Sequence, residues 1–193
     1  MPTITIEPAT ASRFDDAEHA LTGGGDGPSC QCQWWMLSST EFNRTTKPER
    51  LELLRAQTGD DLPPGLIAYV DGQAAGWVKV APRTAQPRLA RTRAYAGSPE
   101  PWDDPDVWAV SCFVVRREHR GAGLNAALLD AAIDFARAHG ARSIEAYPID
   151  TRMGTKVSSN ELFHGALSTF VGAGFREVAR PKPHVVIVSL TLA

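Results

Sequence analysis

The residues best suited to chemistry form the basic, glycine-containing run Arg120-Gly-Ala-Gly-Leu-Asn125. The apolar segment Val107–Val115, typical of a buried strand, precedes it, and Ala126–Leu129 continues into a predicted helix. A helix start leaves backbone N–H groups free and carries partial positive charge. Glycine lets a phosphate approach those groups closely, and the arginine adds charge. The run therefore predicts a phosphate-binding loop.

Two common nucleotide-binding motifs fit this run poorly. A dinucleotide site needs Gly-x-Gly-x-x-Gly in a tight turn, and Ala126 stands where the third glycine belongs. Alanine is permitted there, but Arg116–Arg120 separates the strand from Gly121 and makes the loop too long for that turn. A nucleotide P-loop needs Gly-Lys-Ser or Gly-Lys-Thr at the helix start, which the run lacks. An acyl-coenzyme A pyrophosphate site is the third alternative.

The run Arg120-Gly-Ala-Gly-Leu-Asn125 resembles the Arg/Gln-x-x-Gly-x-Gly/Ala motif of the GNAT superfamily, acetyl-CoA-dependent N-acyltransferases. Phe113-Val-Val115 resembles that family's cofactor strand, and Ala173-Gly-Phe175 resembles the Gly-Phe that closes its last helix. The order of predicted elements matches the family over nearly the whole chain. The run Cys-x-Cys-x-Trp-Trp that ends at Trp35, followed downstream by Pro-Arg, resembles an actinobacterial-type subgroup. Asn125 departs from the family's usual small residue.

The resemblance implies a role for each residue that matches the motif. Backbone N–H groups of the loop should hold the pyrophosphate of acetyl-CoA, the co-substrate, and no metal is expected. The cofactor strand should pair with the pantetheine amides as an added strand would, which requires it to splay from its neighbour. The implied cofactor-binding residues are Phe113, Val114, Val115, Arg120, Gly121, Ala122, Gly123, Leu124 and Asn125.

The catalytic groups do not follow from the resemblance. Many members use a tyrosine five residues before the phenylalanine of Gly-Phe, and here that position is Phe170. The family's frequent asparagine, seven residues further back, falls on Phe163, and the cofactor strand has no glutamate. Glu145 and Tyr147 are candidate catalytic residues, because they share one face of the strand beside the cofactor strand.

Two functions fit these residues. The resemblance implies direct transfer of an acetyl group from acetyl-CoA to an amine of a small molecule or peptide. The alternative is a non-catalytic acyl-CoA-binding module that senses the cofactor or regulates a partner. The absent tyrosine and glutamate favour the alternative, whereas the phosphate motif fits both.

Trp34 and Trp35 are candidate acceptor-binding residues, because an indole combines a large apolar area with one hydrogen-bond donor and attracts cations. Cys30 and Cys32 precede them. A zinc site usually needs four ligands from two spaced pairs, and the sequence has no second pair. The favoured interpretation of Cys30 and Cys32 is therefore two small apolar side chains.

Composition limits the partners. The chain has 193 residues, of which 43% are hydrophobic and 22% charged, and a net charge of -2, which argues against a nucleic-acid partner. No apolar run approaches the roughly 20 residues that span a bilayer. Three cysteines without a recognisable signal peptide indicate a cytoplasmic location.

The surrounding elements predict one α/β (α+β) domain over residues 1–193. Leu66–Val70 and Ala75–Val80 flank Asp71-Gly72 and predict a tight hairpin. Hairpins together with one strand–helix–strand crossover predict a mixed, mostly antiparallel sheet flanked by helices. The resemblance adds that the sheet splays at the cofactor strand.

The remaining segments carry weaker signals. Pro82–Pro105 shows no periodicity and predicts a long connection, and Thr151–Ser159 predicts a polar loop. Leu162–Val171 predicts a short helix. The apolar strand Val185–Leu190 could pair across a homodimer.

Overall fold

The computed structural model of the chain describes residues 2–152 and 161–192. The strands are β1 (Ile4–Pro8), β2 (Leu66–Val70), β3 (Gln73–Pro82), β4 (Val107–Val115), β5 (Ser143–Ala146), β6 (Arg176–Lys182) and β7 (Val185–Thr191). The helices are α1 (Phe14–Leu21), α2 (Gly27–Cys30), α3 (Ser39–Arg44), α4 (Lys47–Thr58), α5 (Pro87–Arg91), α6 (Leu124–Ala138) and α7 (Leu167–Gly172).

The strands form one seven-stranded sheet in the order β1-β2-β3-β4-β5-β7-β6. Only β4 and β5 run parallel, because α6 connects them as a crossover, and the other neighbours are antiparallel. The predicted mixed sheet, mostly antiparallel and flanked by helices, is confirmed.

Strand β4 extends beyond its parallel neighbour. The β4–β5 ladder covers only Val107–Val110 of β4, which then continues to Val115. The β3–β4 ladder shifts register between Lys79 and Val80, which leaves Ser111 as an extra residue on β4. Such a bulge bends a strand locally. The sheet therefore splays at the predicted cofactor strand.

The two faces of β3 and β4 pack against different helices. On one face, Val78 and Phe113 join the core with Leu128 of α6. On the other face, Trp77 and Val114 join a second cluster with Leu21 of α1. Because side chains alternate along a strand, Lys79 shares the face of Trp77.

The predicted hairpin is confirmed. Asp71 and Gly72 connect β2 to β3 with φ values of 50° and 80°. Two successive positive φ values produce the primed turn whose twist matches a two-residue hairpin.

Two sequence predictions need correction. The helix predicted over Leu162–Val171 is wrong, because a 3-10 turn (Glu161–His164) precedes α7 and Gly165 separates them at φ 79°. The predicted Thr151–Ser159 loop lies mostly outside the described residues. The segment Pro82–Pro105 is a long connection, but it contains α5 and two 3-10 turns.

The final strand does not form an edge of the sheet. β7 lies between β5 and β6, so both of its sides are paired. The prediction that Val185–Leu190 pairs across a homodimer is therefore wrong, and β1 and β6 are the edge strands. Among the described helices, none is long and apolar enough to cross a membrane.

Candidate active site

A cavity of about 830 Å³ follows the free part of β4. Four stretches contribute to its wall: the segment from Gly24 to Trp35, β4 from Cys112 to Val115, the loop from His119 to Ala126, and the turn from Leu162 to His164. The cavity therefore runs from the start of α6, past the splayed strand, to a group of aromatic side chains.

The start of α6 leaves five consecutive amides free. No described residue accepts a hydrogen bond from the backbone N–H groups of Gly121 to Asn125. Gly121 and Gly123 have φ values of 82° and 75°, and a Cβ at either position would meet nothing within 4 Å. An open row of N–H groups at the start of a 15-residue helix suits a phosphate group.

A second loop, from Gly23 to Gly27 after α1, packs against Arg116 and Arg120. Arg116 donates from Nη1 to the His19 carbonyl across 2.6 Å and so anchors the end of α1. A Cβ on Gly23 would lie 2.3 Å from the Arg116 side chain, and one on Gly24 would lie 2.9 Å from Nη2 of Arg120. Glycine is therefore required at position 23, where a Cβ would also lie 2.6 Å from the Arg116 Cα, and the φ of 151° favours glycine at position 24.

The middle of the cavity is the splayed half of β4. No strand in the described part of the chain pairs with its β5-facing side beyond Val110. At the bulge, the indole N–H of Trp35 donates to the Ser111 carbonyl across 3.0 Å. Buried Gln86 accepts from the Ser111 hydroxyl and donates to the Ala109 carbonyl across 3.2 Å. These contacts hold the bulge in place.

The far end of the cavity is aromatic. Trp34 is 39% exposed and makes an edge contact with Phe42 at 5.0 Å between ring centroids. The guanidinium carbon of Arg88 lies 3.7 Å from the Trp34 ring centroid. Trp35 is buried and packs at 5.8 Å from His164. Both predicted acceptor-binding tryptophans thus lie at the cavity.

The model of the acetyltransferase (GNAT) family matches residues 31–162. The chain belongs to this family. No curated protein matches it in sequence. The family uses acetyl-CoA, and yncA from Salmonella typhimurium was solved with that cofactor.

Solved structures of GNAT proteins share the fold at low identity. The chain matches yncA at 18% identity, with a TM-score of 0.55 and coverage of 98% of this chain and 94% of that one. It matches an N-acetyltransferase from Staphylococcus aureus Mu50 at 15% identity, TM-score 0.56, and 99% coverage of both chains. It matches a GNAT acetyltransferase from Streptococcus pneumoniae at 16% identity, TM-score 0.54, with 99% and 100% covered.

The structure does not bring Glu145 and Tyr147 to this cavity. Both are buried and neither lines the cavity; Glu145 accepts from Nη1 of Arg83 across 2.8 Å and from the Ser98 hydroxyl across 2.7 Å. The Tyr147 hydroxyl donates to the same carboxylate across 3.3 Å. Burial raises the pKa of Glu145 despite these partners. The contacts give Glu145 a structural role.

The two positions that correspond to the family's tyrosine and asparagine offer no side-chain proton for transfer either. Phe170 is fully buried and packs edge-on between Phe113 and Phe175, with centroids at 6.0 and 5.3 Å. Phe163 lines the cavity but is apolar. Among the described wall residues there is no tyrosine or glutamate.

The sequence analysis assigned no catalytic role to the titratable side chains at the splay. Cys112 lies on β4 beside the predicted cofactor residues, and Cys30 and Cys32 face it from the α2 segment. His164 also lines the wall, and burial lowers its pKa to about 4. Cys112 could have been found as the one titratable side chain of the cofactor strand.

Proposed function

We propose that the chain transfers an acetyl group from acetyl-CoA to an amine of a small molecule or peptide. The observation that carries this proposal is the continuity of the cavity. It joins five free backbone N–H groups, an unpaired strand edge and an aromatic pocket, in the order of a phosphate, an amide-containing arm and an acceptor.

The described residues fit acetyl-CoA at each point. The loop from Gly121 to Asn125 would hold the pyrophosphate, with Arg120 adding positive charge. The free edge around Phe113 and Val115 would pair with the pantetheine amides. A backbone N–H of this strand would polarise the thioester carbonyl, so that a neutral amine held near Trp34 and Trp35 attacks it directly.

The first test concerns coenzyme A binding. Gly123→Glu should place a carboxylate in the phosphate loop and weaken coenzyme A binding by about 100-fold or more in calorimetry, because like charges repel. Gly140→Glu is the matched control: Gly140 has φ 82°, an equally open Cβ position, and lies at the other end of α6. It should bind coenzyme A normally. Equal affinity in both variants would refute the phosphate site.

The second test separates an enzyme from an acyl-CoA-binding sensor. The chain should release coenzyme A thiol from acetyl-CoA in the presence of amines, measured over a panel of alkylamines, arylamines and amino-terminal peptides. Gly123→Glu should remove that release. Tight coenzyme A binding without thiol release for any amine would support the sensor.

A further inference from the structure

Acetyl transfer to an amine moves one proton from nitrogen to the coenzyme sulfur, and the usual family groups for this are missing. The described wall includes three thiols, and two of them, Cys32 and Cys112, pack with the cluster of side chains around Trp77. Together with Trp77 and Lys79 they form a group that we call the thiol cluster.

The backbone explains why these four side chains meet. Lys79 of β3 lies directly opposite Cys112 of β4, and Trp77 precedes Lys79 by two residues on the same face. Cys32 approaches that face after α2, and its sulfur accepts a hydrogen bond from the Trp77 indole N–H across 3.2 Å. An indole N–H donates only, so the Cys32 sulfur must serve as an acceptor.

The charge of Lys79 requires a counter-charge. This side chain is 1% exposed, and its ammonium donates to the Pro64 carbonyl across 3.2 Å. No carboxylate among the described residues forms an ion pair with it. A buried ammonium without an anion is costly. Cys32 packs in the same cluster as Trp77, on the face that carries Lys79, so a thiolate at Cys32 would supply the anion.

The two thiols have pKa values moved in opposite directions. Burial raises the pKa of Cys32, but the Cys112 hydrogen bond, the Lys79 charge and the Trp77 hydrogen bond outweigh it and lower that pKa to about 7. The hydrogen bond to Cys32, followed by burial, raises the pKa of Cys112 well above its usual value. The Trp77 indole N–H, which can only donate, favours Cys32 as the ionised thiol of the pair.

Resting on the proposed acetyl transfer, we propose that Cys32 and Cys112 form its proton relay. The Cys32 thiolate takes the proton that the amine loses when its nitrogen bonds to the acetyl carbon. The carbon–sulfur bond to coenzyme A breaks, and the departing thiolate takes the Cys112 proton. Cys32 then returns its proton to Cys112, which restores both thiols to their starting states. Lys79 is a positioning residue that keeps Cys32 ionised.

The other groups around Cys32 leave this assignment intact. Burial, followed by the Cys32 charge, raises the pKa of Cys30 to about 11, so Cys30 stays a neutral thiol. From α1 and α4 the neighbours are apolar, with Leu21 and Leu54 in the same cluster. His164 is the rival base, but burial keeps it a weak one.

One experiment needs no acceptor. The full chain is alkylated with iodoacetamide at a series of pH values, and each cysteine is quantified by mass spectrometry. Cys32 should react with a midpoint near pH 7, against about 8.5 for a free cysteine. Lys79→Met should move that midpoint up by about one unit. A Cys32 that reacts with a midpoint at 8.5 or above, or that stays unmodified at every pH, overturns the proposal.

Turnover tests the roles of the two thiols. Cys32→Ser should lower kcat by about 100-fold or more with an alkylamine and with an arylamine, because either nitrogen loses a proton as it bonds to the acetyl carbon. With the arylamine, which stays neutral, the wild-type kcat should rise through about pH 7 as Cys32 ionises, and this rise should be absent in Cys32→Ser, whereas a structural defect would lower kcat without changing the pH profile. Cys112→Ser should lower kcat with both amines, and Cys30→Ser should keep the wild-type pH profile.

The outcomes separate this proposal from the proposed function. Wild-type turnover with an unchanged pH profile in Cys32→Ser would overturn the relay and leave acetyl transfer standing. Loss of the rise in kcat near neutral pH in His164→Gln, and not in Cys32→Ser, would assign the base to His164 and overturn the relay. If no amine is acetylated, the proposed function fails, and the thiol titration still decides whether Cys32 is ionised.

Discussion

Glu145 and Arg83 form an ion pair in which neither side chain is exposed to solvent. Arg83 also donates to the Glu100 and Pro101 carbonyls, and its guanidinium carbon lies 4.3 Å from the Trp102 ring centroid. These contacts tie the long connection after β3 to β5. The Glu145 carboxylate accepts hydrogen bonds from Arg83, Ser98 and Tyr147, so it stabilises the fold and needs no part in the reaction.

Removing one partner of this pair should be costly. Arg83→Met should lower the free energy of unfolding by about 3–5 kcal/mol in urea titrations, because Glu145 is left buried without a counter-charge. Arg137→Met is the matched control. It breaks the exposed Arg137–Asp134 pair, whose N–O distance is 2.7 Å, and should cost under about 1 kcal/mol. Equal losses in the two variants would show that the buried pair has no special structural role.

At the scale of the element, Gly165 determines how the segment that begins at Glu161 enters the core. Its φ of 79° ends the 3-10 turn, and its N–H donates to the Leu162 carbonyl across 2.9 Å. A Cβ here would lie 2.8 Å from Phe170 and 3.4 Å from Phe113. The break therefore positions His164 at the cavity wall and Phe170 in the core.

Gly165→Ala should show this packing requirement. The variant should lose about 2–4 kcal/mol of unfolding free energy, from a positive φ together with overpacking against two aromatic rings. Gly72→Ala adds the same methyl group at φ 80° in the hairpin turn, where nothing lies within 4 Å. It should lose only about 1–2 kcal/mol. The difference between the two variants in urea denaturation measures the clash, and its absence would contradict the packing described.

The sequence could predict the elements that neighbouring residues determine by themselves. Asp71-Gly72 predicts its own turn, and the phosphate loop depends on backbone N–H groups, so residue spacing suffices. The helix predicted over Leu162–Val171 was wrong because Gly165 within it packs against Phe113, a residue distant in sequence that the local pattern does not reveal. The thiol cluster was missed for the same reason: Cys32, Lys79 and Cys112 meet only through strand register and the path of the chain after α2.

At the scale of the whole molecule, three distant parts of the chain converge on one ligand path. The glycine loop after α1, the free edge of β4 and the start of α6 share walls of the same cavity. Arg116 joins two of them through its bond to the His19 carbonyl. The sheet supplies the rigid part, because β4 is held by β3 along its length while its other side is open.

Binding of coenzyme A should therefore be visible as protection in these three places. The amides of Gly121 to Asn125 have no acceptor among the described residues and should exchange quickly in the free chain. With saturating coenzyme A, hydrogen–deuterium exchange should slow at least about 10-fold in peptides covering this loop, and also in those covering β4 and the loop from Gly23 to Gly27.

The edge strand β6 lies outside the cavity wall and provides the internal control. Gly123→Glu should show no slowing anywhere at the same coenzyme A concentration, and Gly140→Glu should match the wild type. Protection confined to other parts of the chain would mean that coenzyme A does not follow the path of this cavity.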